Sequence, residues 1–354
     1  CAIGAAIMAK YHRFAALALL GGAGVITCLT FAWFSAPDLA LTQLAVEVVT
    51  MVLFLLGLRW MPKRIEQDEA PFTSNVWWRR RRDLLIAVLV GAGLAALSYA
   101  LLTRQAPMSI SPYYIENALP LGGGTNVVNV MLVDFRAFDT LGEITVLGIV
   151  GLTVYALLRR FRPPVEVIDQ PAQQRAIPQQ EPSDLVTRED DKATTPQPYL
   201  EVPAVLVRLL LPISGVFALH LFMRGHNEPG GGFVAGLVVA IAFIAQYMVG
   251  GTRWVEERMR LMPPRWIGFG LLAGLLTGIG ALYVGYPFLT THTAHVVWPL
   301  VGEVHLPSAF LFDLGVFAVV VGATLLLLTA IAHQSLRAHR RQATTEQHAG
   351  EEAH

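Results

Sequence analysis

Six carboxylate side chains stand inside or beside long apolar stretches, where an ionisable group is costly. A carboxyl group at membrane depth alternates between a neutral and a charged form, so it can carry a proton or hold a small cation. The pattern predicts an ion or proton path. The alternative is a purely structural role, as a neutral packing residue or a helix cap. The six residues are Asp38, Glu47, Asp134, Asp139, Glu143 and Asp313.

The first two of these carboxylates belong to one apolar stretch. Asp38 follows Pro37, and Glu47 lies nine residues further along, which is about 13 Å along a helix. Glu47 shares a helical face with Gln43 and Thr50, so we expect it near mid-membrane, pointing into a bundle or a water-filled path. The alternatives are a hydrogen-bonded packing role for Glu47 and a helix cap at Asp38.

The densest polar segment is 122–147, which leads into another apolar stretch. Asp139 and Glu143 are four residues apart and share a helical face, so if both are buried one of them should hold a proton at neutral pH. The alternative is that Asp139 caps the helix and Glu143 occupies its first turn. The segment contains Gly122, Gly123, Gly124, Asp134, Arg136, Asp139 and Glu143.

A glycine-rich turn separates two apolar stretches in the second half of the chain. Glycines let backbone segments approach closely, so the turn could coordinate an ion at membrane depth. A tight helical hairpin, in which Gly232 and Gly236 serve helix packing, is the favoured interpretation. The motif residues here are Arg224, His226, Pro229, Gly230, Gly231, Gly232 and Phe233.

Nucleotide, metal and cysteine chemistry are not predicted. The glycine run has no preceding strand and no following lysine, which excludes a nucleotide-binding P-loop. His292 and His295 form only a weak metal pair, because their loop, which also contains Glu303 and His305, lacks a strand or helix signal and a defined third ligand. The two cysteines are too few for a disulfide framework. We therefore expect no cofactor.

Long apolar helices must position these residues. Of the 354 residues, 54% are apolar and 15% charged, which excludes an ordinary soluble protein. A helix of about twenty apolar residues crosses the hydrocarbon core of a bilayer. We predict an all-α fold, a polytopic transmembrane bundle of about eight spans in two four-helix parts. The predicted spans are 14–34, 39–60, 84–103, 141–158, 203–223, 231–249, 266–286 and 308–332.

Basic residues predict the orientation and divide the chain. With eight spans, the clusters at 10–13, 59–64, 79–82, 159–162, 253–265 and 337–341 all fall on one side, which is the cytoplasmic side. The proline- and glutamine-rich segment 163–200 is predicted to be a disordered cytoplasmic linker. It separates a membrane region at 1–162 from a second one at 201–335, and a disordered cytoplasmic tail at 336–354 follows.

The charge balance and the first residues add two expectations. Basic and acidic residues are equal in number at 26 each, so no broad field attracts nucleic acid, and partners are expected in the lipid bilayer. The chain begins with Cys1 and continues as an apolar stretch without a signal-peptide pattern. We therefore expect it to be a fragment of a longer polypeptide.

Three long motifs resemble the Mrp (Mnh, Sha) multisubunit cation/proton antiporter. They are APDLALTQLAVEVVTMVLFLLGLR, GGGTNVVNVMLVDFRAFDTLGEITVLGIVGLTVYALLR, and RGHNEPGGGFVAGLVVA with LPSAFLFDLGVFAVVVG. Residues 1–162 look like the C-terminal part of the A subunit, and 201–335 look like the whole B subunit. The resemblance implies a hetero-oligomer of Mrp-type subunits in a bacterial inner membrane that exchanges external protons for internal sodium, without nucleotide. The long antiporter-like domain of the A subunit is absent, so the fragment alone is not expected to transport.

The resemblance also bears on individual residues. The A-like part is similar to a small respiratory complex I subunit with a π-bulge, which implies a lateral ion or water path near the acidic residues. Two alternatives stay open: the membrane arm of a redox-driven hydrogenase-like pump, and a scaffold that only holds partner subunits. In the B-like part the motifs place Arg224, His226, Pro229, Phe233 and Asp313.

Overall fold

The computed structural model describes residues 2–9, 12–58, 74–105, 108–160, 201–259, 262–298 and 302–351. The predicted linker and the basic segment at 59–64 lie outside these residues. In chain order the elements are α1 (Ala2–Met8), α2 (Arg13–Trp33), α3 (Pro37–Gly57), α4 (Ser74–Thr103), α5 (Ser111–Asn117), α6 (Val127–Val130), a π-helical turn (Met131–Phe135), α7 (Ala137–Arg160), α8 (Glu201–Arg224), α9 (Gly232–Gly250), α10 (Thr252–Arg258), α11 (Pro263–Tyr283), β1 (Thr293–Trp298), β2 (Gly302–Pro307) and α12 (Ala309–Glu351).

The prediction of an all-α membrane bundle is confirmed. Within the described ranges, eight helices are long and apolar enough to cross a membrane, namely α2, α3, α4, α7, α8, α9, α11 and the first part of α12. Helix α4 begins at Ser74, ahead of its predicted start at 84, because the arginines at 79–82 are good helix formers and extend the helix beyond the apolar stretch. The chain is therefore a multi-pass membrane protein.

Apart from α4, helices from both sides of the predicted linker pack into one bundle. Helix α12 contacts α3, α7, α9 and α11, and α9 also contacts α3 and α8. Phe312 and Leu325 of α12 are among the most completely buried side chains. The regions before and after the predicted linker therefore pack against each other, because α3 and α7 bury their faces against helices that follow the linker. Residues 62–115, which include α4, form a compact unit of their own.

Two segments differ from their predicted structure. Strands β1 and β2 pair as an antiparallel hairpin, with His295 opposite His305, in a loop for which no strand was predicted. The segment TAHVVW is rich in β-branched and aromatic residues, which favour a strand. Helix α12 continues to Glu351, where a disordered tail was predicted from 336. Its alanine, glutamine, arginine and glutamate residues are good helix formers, and no proline interrupts them.

Candidate functional site

The glycine turn between α8 and α9 is closed by hydrogen bonds to two carboxylates. The amide of Gly230 donates to Asp38 Oδ1 at 3.0 Å, and the amide of Gly232 donates to Asp313 Oδ2 at 2.8 Å. Between them, Gly231 has a φ of +95°, a conformation that favours glycine, and its amide donates to the Leu221 carbonyl. The turn is therefore a tight hairpin whose amides are satisfied without water, as a low-dielectric setting requires.

Small residues bring α9 against α12 at this turn. The Gly232 Cα lies so close to the backbone carbonyl of Asp313 that an added Cβ would overlap it. One turn later, a Cβ at Gly236 would lie 3.0 Å from the Phe317 carbonyl oxygen and would press on Val320. Gly232 and Gly236 therefore serve close helix packing in the structure, as predicted.

Asn126 joins the segment before α6 to the glycine turn. Its side-chain oxygen accepts from the backbone amides of Val128 and Asn129, so it caps α6. Its side-chain nitrogen lies within hydrogen-bond distance of Asp38 Oδ1 and of the backbone carbonyls of Gly225 and Glu228. One buried amide thus connects three parts of the chain that are far apart in sequence.

A π-helical turn separates α6 from α7. The amide of Arg136 donates to the Met131 carbonyl at 2.7 Å, an i to i−5 bond. The Thr140 hydroxyl donates to the Leu132 carbonyl at 2.7 Å, which satisfies a carbonyl near the wide turn. Such bulges are frequent at functional sites. The π-bulge that the resemblance implies is present.

These elements surround a cavity of about 200 Å³. Asp38 of α3, Glu143 of α7 and Asp313 of α12 line it together with polar and apolar neighbours. Asp313 is the most enclosed of the three, with 9% of its surface exposed. Carboxylate, amide and hydroxyl oxygens are the ligands that hard cations prefer. The polar lining residues besides these carboxylates are Thr42, Asn129 and Thr140.

The other three predicted carboxylates lie outside the cavity lining. Glu47 is half-buried, receives a 3.4 Å hydrogen bond from Gln43 Nε2, and packs its carboxylate against Gly24 of α2. Asp139 is exposed and forms an ion pair with Arg136. The condition for a shared proton between Asp139 and Glu143, burial of both groups, is not met in this structure, because Asp139 pairs with Arg136 and both side chains are exposed.

Asp134 and His226 form a second polar cluster at the same end of the bundle. Asp134 Oδ1 accepts from the Thr291 amide at 2.7 Å. His226 Nε2 lies 2.9 Å from the Gly122 carbonyl, and Nδ1 lies 3.3 Å from Asn129 Oδ1. Burial raises the pKa of Asp134 and lowers the pKa of His226, and the attraction between the two groups opposes both shifts.

We expect acid to destabilise this cluster through His226. The pKa of folded His226 lies below its ordinary value of 6.5, so the unfolded chain takes up the proton first as the pH falls. The contribution of His226 to stability is therefore present above pH 6.5 and lost as the pH falls through the lower folded pKa. The unfolding temperature of the assembled protein should fall more steeply below pH 6.5 than that of His226→Gln. Equal slopes would contradict this assignment.

The remaining motif residues shape the loops around the cavity. Arg224 Nε donates to the Pro229 carbonyl at 2.9 Å, and Arg224 Nη1 lies 3.3 Å from Glu228 Oε2, which forms an ion pair. Phe233 lines the cavity, and Pro37 occupies the first turn of α3, where its fixed φ suits a helix start. Gly122 packs against Val130 and Asp134, Gly124 lies against the His226 carbonyl, and Gly123 has a φ of +72°.

The predicted site residues do not include Asn126, Asn129, Thr140 and Thr291. An asparagine directly before the apolar run VVNVML is a helix-start signal, so the capping role of Asn126 was accessible from the sequence. The bonds from Asn126 to the glycine turn were not, because they join residues about a hundred positions apart. Among the side chains that the structure describes, no group of three or more His, Cys, Asp or Glu residues is placed to hold a metal.

A bundle of membrane-spanning helices with ionisable side chains around a partly open cavity defines the class, a polytopic helical membrane protein. Three family models match the chain. They are MbhD, the D-type component of MBH, at residues 1–63; MbhE, the E-type component of MBH, at 78–175; and a domain related to the MnhB component of a Na+/H+ antiporter at 202–326.

Relatives and a solved structure cover both halves. The chain is 54% identical over 97% of its length to a probable K(+)/H(+) antiporter A/B subunit of Rhizobium meliloti, and spans 34% of that relative. It is 37% identical to the Na(+)/H(+) antiporter B subunit of Alkalihalophilus pseudofirmus, over 37% of this chain and 91% of that one. The structure of the Mrp complex from Dietzia sp. DQ12-45-1b is similar over 90% of this chain and 32% of the matched chain. The sequence identity is 31% and the TM-score is 0.73. The chain belongs to the Mrp antiporter family, with a part like the end of the A subunit followed by a part like the B subunit.

Proposed function

We propose that this chain is a membrane component of a multisubunit monovalent cation/proton antiporter, and that the carboxylates of its central cavity belong to the ion or proton path. The observation that carries the proposal is the cavity of about 200 Å³ on which Asp38, Glu143 and Asp313 converge. An apolar bundle has no packing reason to gather three ionisable groups around one space, because each is costly at membrane depth.

The hydrogen bonds at the glycine turn suit these carboxyl groups to reversible binding. One oxygen of Asp38 and one of Asp313 accept from glycine amides, which fixes each group in place. The second oxygen is then able to take up either a proton or a cation without backbone movement. A bound proton neutralises the carboxylate and weakens its attraction for a cation, so the two ligands exclude each other. Exchange follows when the proton and the cation are released on opposite sides of the membrane.

The assembled complex, rather than this chain alone, carries out the exchange in this proposal. The chain spans about a third of the A/B relative, and other Mrp-type membrane subunits complete the path. Glu143 lies in a span but is exposed in this chain, which fits a position facing a neighbouring subunit. The membrane potential and proton gradient drive the exchange, with no cofactor and no bond-making chemistry. The transported species are protons and an alkali cation, with sodium as the predicted cation.

We place the protein in a bacterial inner membrane, with linker and C-terminus in the cytoplasm. The supporting contacts join loops that the sequence assigns to the opposite side: Asp38 reaches Gly230, and Asp134 reaches Thr291. Loops with few basic residues thus meet at one end of the bundle, as the positive-inside rule requires.

The test is cation-dependent collapse of a proton gradient in everted vesicles that contain the entire complex, with sodium and potassium compared. We expect Glu143→Gln to slow exchange at least about tenfold when equal amounts of assembled complex are compared. This factor corresponds to the free energy of one lost charge-assisted interaction. Glu116→Gln is the matched control, because Glu116 is exposed and lies outside the spans. Unchanged exchange in Glu143→Gln would contradict the proposed role of this carboxylate and favour a scaffold role for the chain. No exchange with either cation in the wild type would favour a redox-driven assembly.

A further inference from the structure

A cluster of two arginines and a tryptophan lies at the end of the bundle opposite the glycine turn. The guanidinium carbons of Arg208 and Arg258 lie 4.5 Å and 4.6 Å from the ring centroid of Trp254. Arg208 is near the start of α8, whereas Trp254 and Arg258 belong to α10, the short helix between two spans. The Gln246 side chain donates to the Val207 carbonyl at 2.7 Å, which ties α8 to the end of α9 beside this cluster.

The two arginines form an accessible pair of positive charges over a buried ring. Trp254 is 3% exposed, and both arginines are exposed. Each cation gains from the electron-rich face of the indole, but two like charges gathered on one ring repel each other. Among the described side chains neither arginine has a carboxylate partner, and Glu256 of α10 pairs with His333 at 2.6 Å.

We propose that Arg208, Trp254 and Arg258 form a binding site for the phosphate headgroup of an anionic phospholipid. An anion at this place relieves the repulsion between the two arginines, and the planar guanidinium groups present paired donors to phosphate oxygens. The site lies where the spans of α8 and α9 end, at the level at which the headgroups of a bilayer are found. The basic segment 253–265 beside it is predicted to be cytoplasmic, the side on which anionic lipids give a negative surface potential.

A lipid fits these observations better than a free anion. Arg208 lies only a few residues inside the span of α8 and is exposed, which is the position of a residue that snorkels to the interface. The neighbouring exposed side chains of α8, Leu206 and Leu209, are apolar and provide a surface for acyl chains. A soluble phosphate ion would use the arginines but would gain nothing from that surface.

The test measures lipid binding by the purified complete complex with native mass spectrometry. Phosphatidylglycerol, phosphatidylcholine and inorganic phosphate are the three probes. We expect the double variant Arg208→Gln/Arg258→Gln to weaken phosphatidylglycerol binding about thirtyfold, the effect of two arginines at a membrane surface. The matched control is Arg265→Gln, because Arg265 is an exposed arginine near the same end of the bundle and contacts no ring within the described part of the chain.

The proposal holds if phosphatidylglycerol binding is lost in the double variant and kept in Arg265→Gln, with little binding of phosphatidylcholine. Equal loss in Arg265→Gln would overturn it, since general surface charge would then explain the affinity. Displacement of the lipid by inorganic phosphate would also overturn it, because the site would then be one for a free anion. The single variant Arg208→Gln keeps the test decisive if the double variant fails to assemble.

Discussion

Replacing Gly232 with alanine should prevent the protein from accumulating in assembled form. The new Cβ would overlap the backbone carbonyl of Asp313, and a backbone atom cannot move aside as a flexible side chain does. Helices α9 and α12 would have to separate, which breaks the bond from the Gly232 amide to Asp313. Overpacking and an unsatisfied buried donor together cost about 4 kcal/mol. The measurement is the amount of chain recovered in the intact complex after mild detergent extraction.

Gly215→Ala is the control for this experiment. Gly215 is also a glycine within a membrane span, but a Cβ there meets no atom within 4 Å. We expect near wild-type recovery, since alanine favours a helix over glycine. If equal amounts of the two variants are recovered in the intact complex, α9 and α12 are packed less closely than in this structure.

Asp313→Asn should abolish exchange while the complex still assembles. The asparagine oxygen keeps an acceptor for the Gly232 amide, so the turn stays closed, but the group no longer takes up a proton or neutralises a cation. If Asp313 carries the exchanged ion, we expect the rate to fall about a hundredfold, the effect of losing one positioned acid–base group. The measurement is proton-gradient collapse in everted vesicles, normalised to assembled complex.

Asp313→Leu separates the charge from the hydrogen bond. Leucine removes both, leaves the Gly232 amide without its acceptor, and should therefore lower assembly as well as exchange. A scaffold role predicts a different result, with Asp313→Asn fully active and only Asp313→Leu defective. The pair of variants thus distinguishes an ion-carrying carboxylate from one that only closes the turn.

Hydrogen bonds join the A-like and B-like parts across the predicted linker. Asp38 binds the Gly230 amide, and Asn126 reaches the carbonyls of Gly225 and Glu228. The cavity takes Asp38 and Glu143 from the first part and Asp313 from the second. The proposed ion path is built from both parts and requires that they stay together, which a single polypeptide provides whatever their affinity for each other.

Sequence alone determined the number of spans and the residues that are costly within them. The eight apolar stretches reappear as helices because transfer into hydrocarbon depends on residue type and length, which are local properties. Asp38, Glu143 and Asp313 were recognisable for the same reason. The close packing at Gly232 and Gly236 was also readable, since small residues at that spacing favour helix contact.

Only the tertiary structure decided which of the six carboxylates meet. Asp139 pairs with Arg136, and Glu47 lies against Gly24, whereas Asp313 joins Asp38 and Glu143 from far along the chain. The π-helical turn, which lies between Asn126 and Glu143, and the bonds from Asn126 have no local sequence rule that fixes their outcome. Spans that are apolar on every side carry no polar face that would reveal their neighbours. The meeting of distant helices therefore follows from packing and hydrogen bonding in three dimensions.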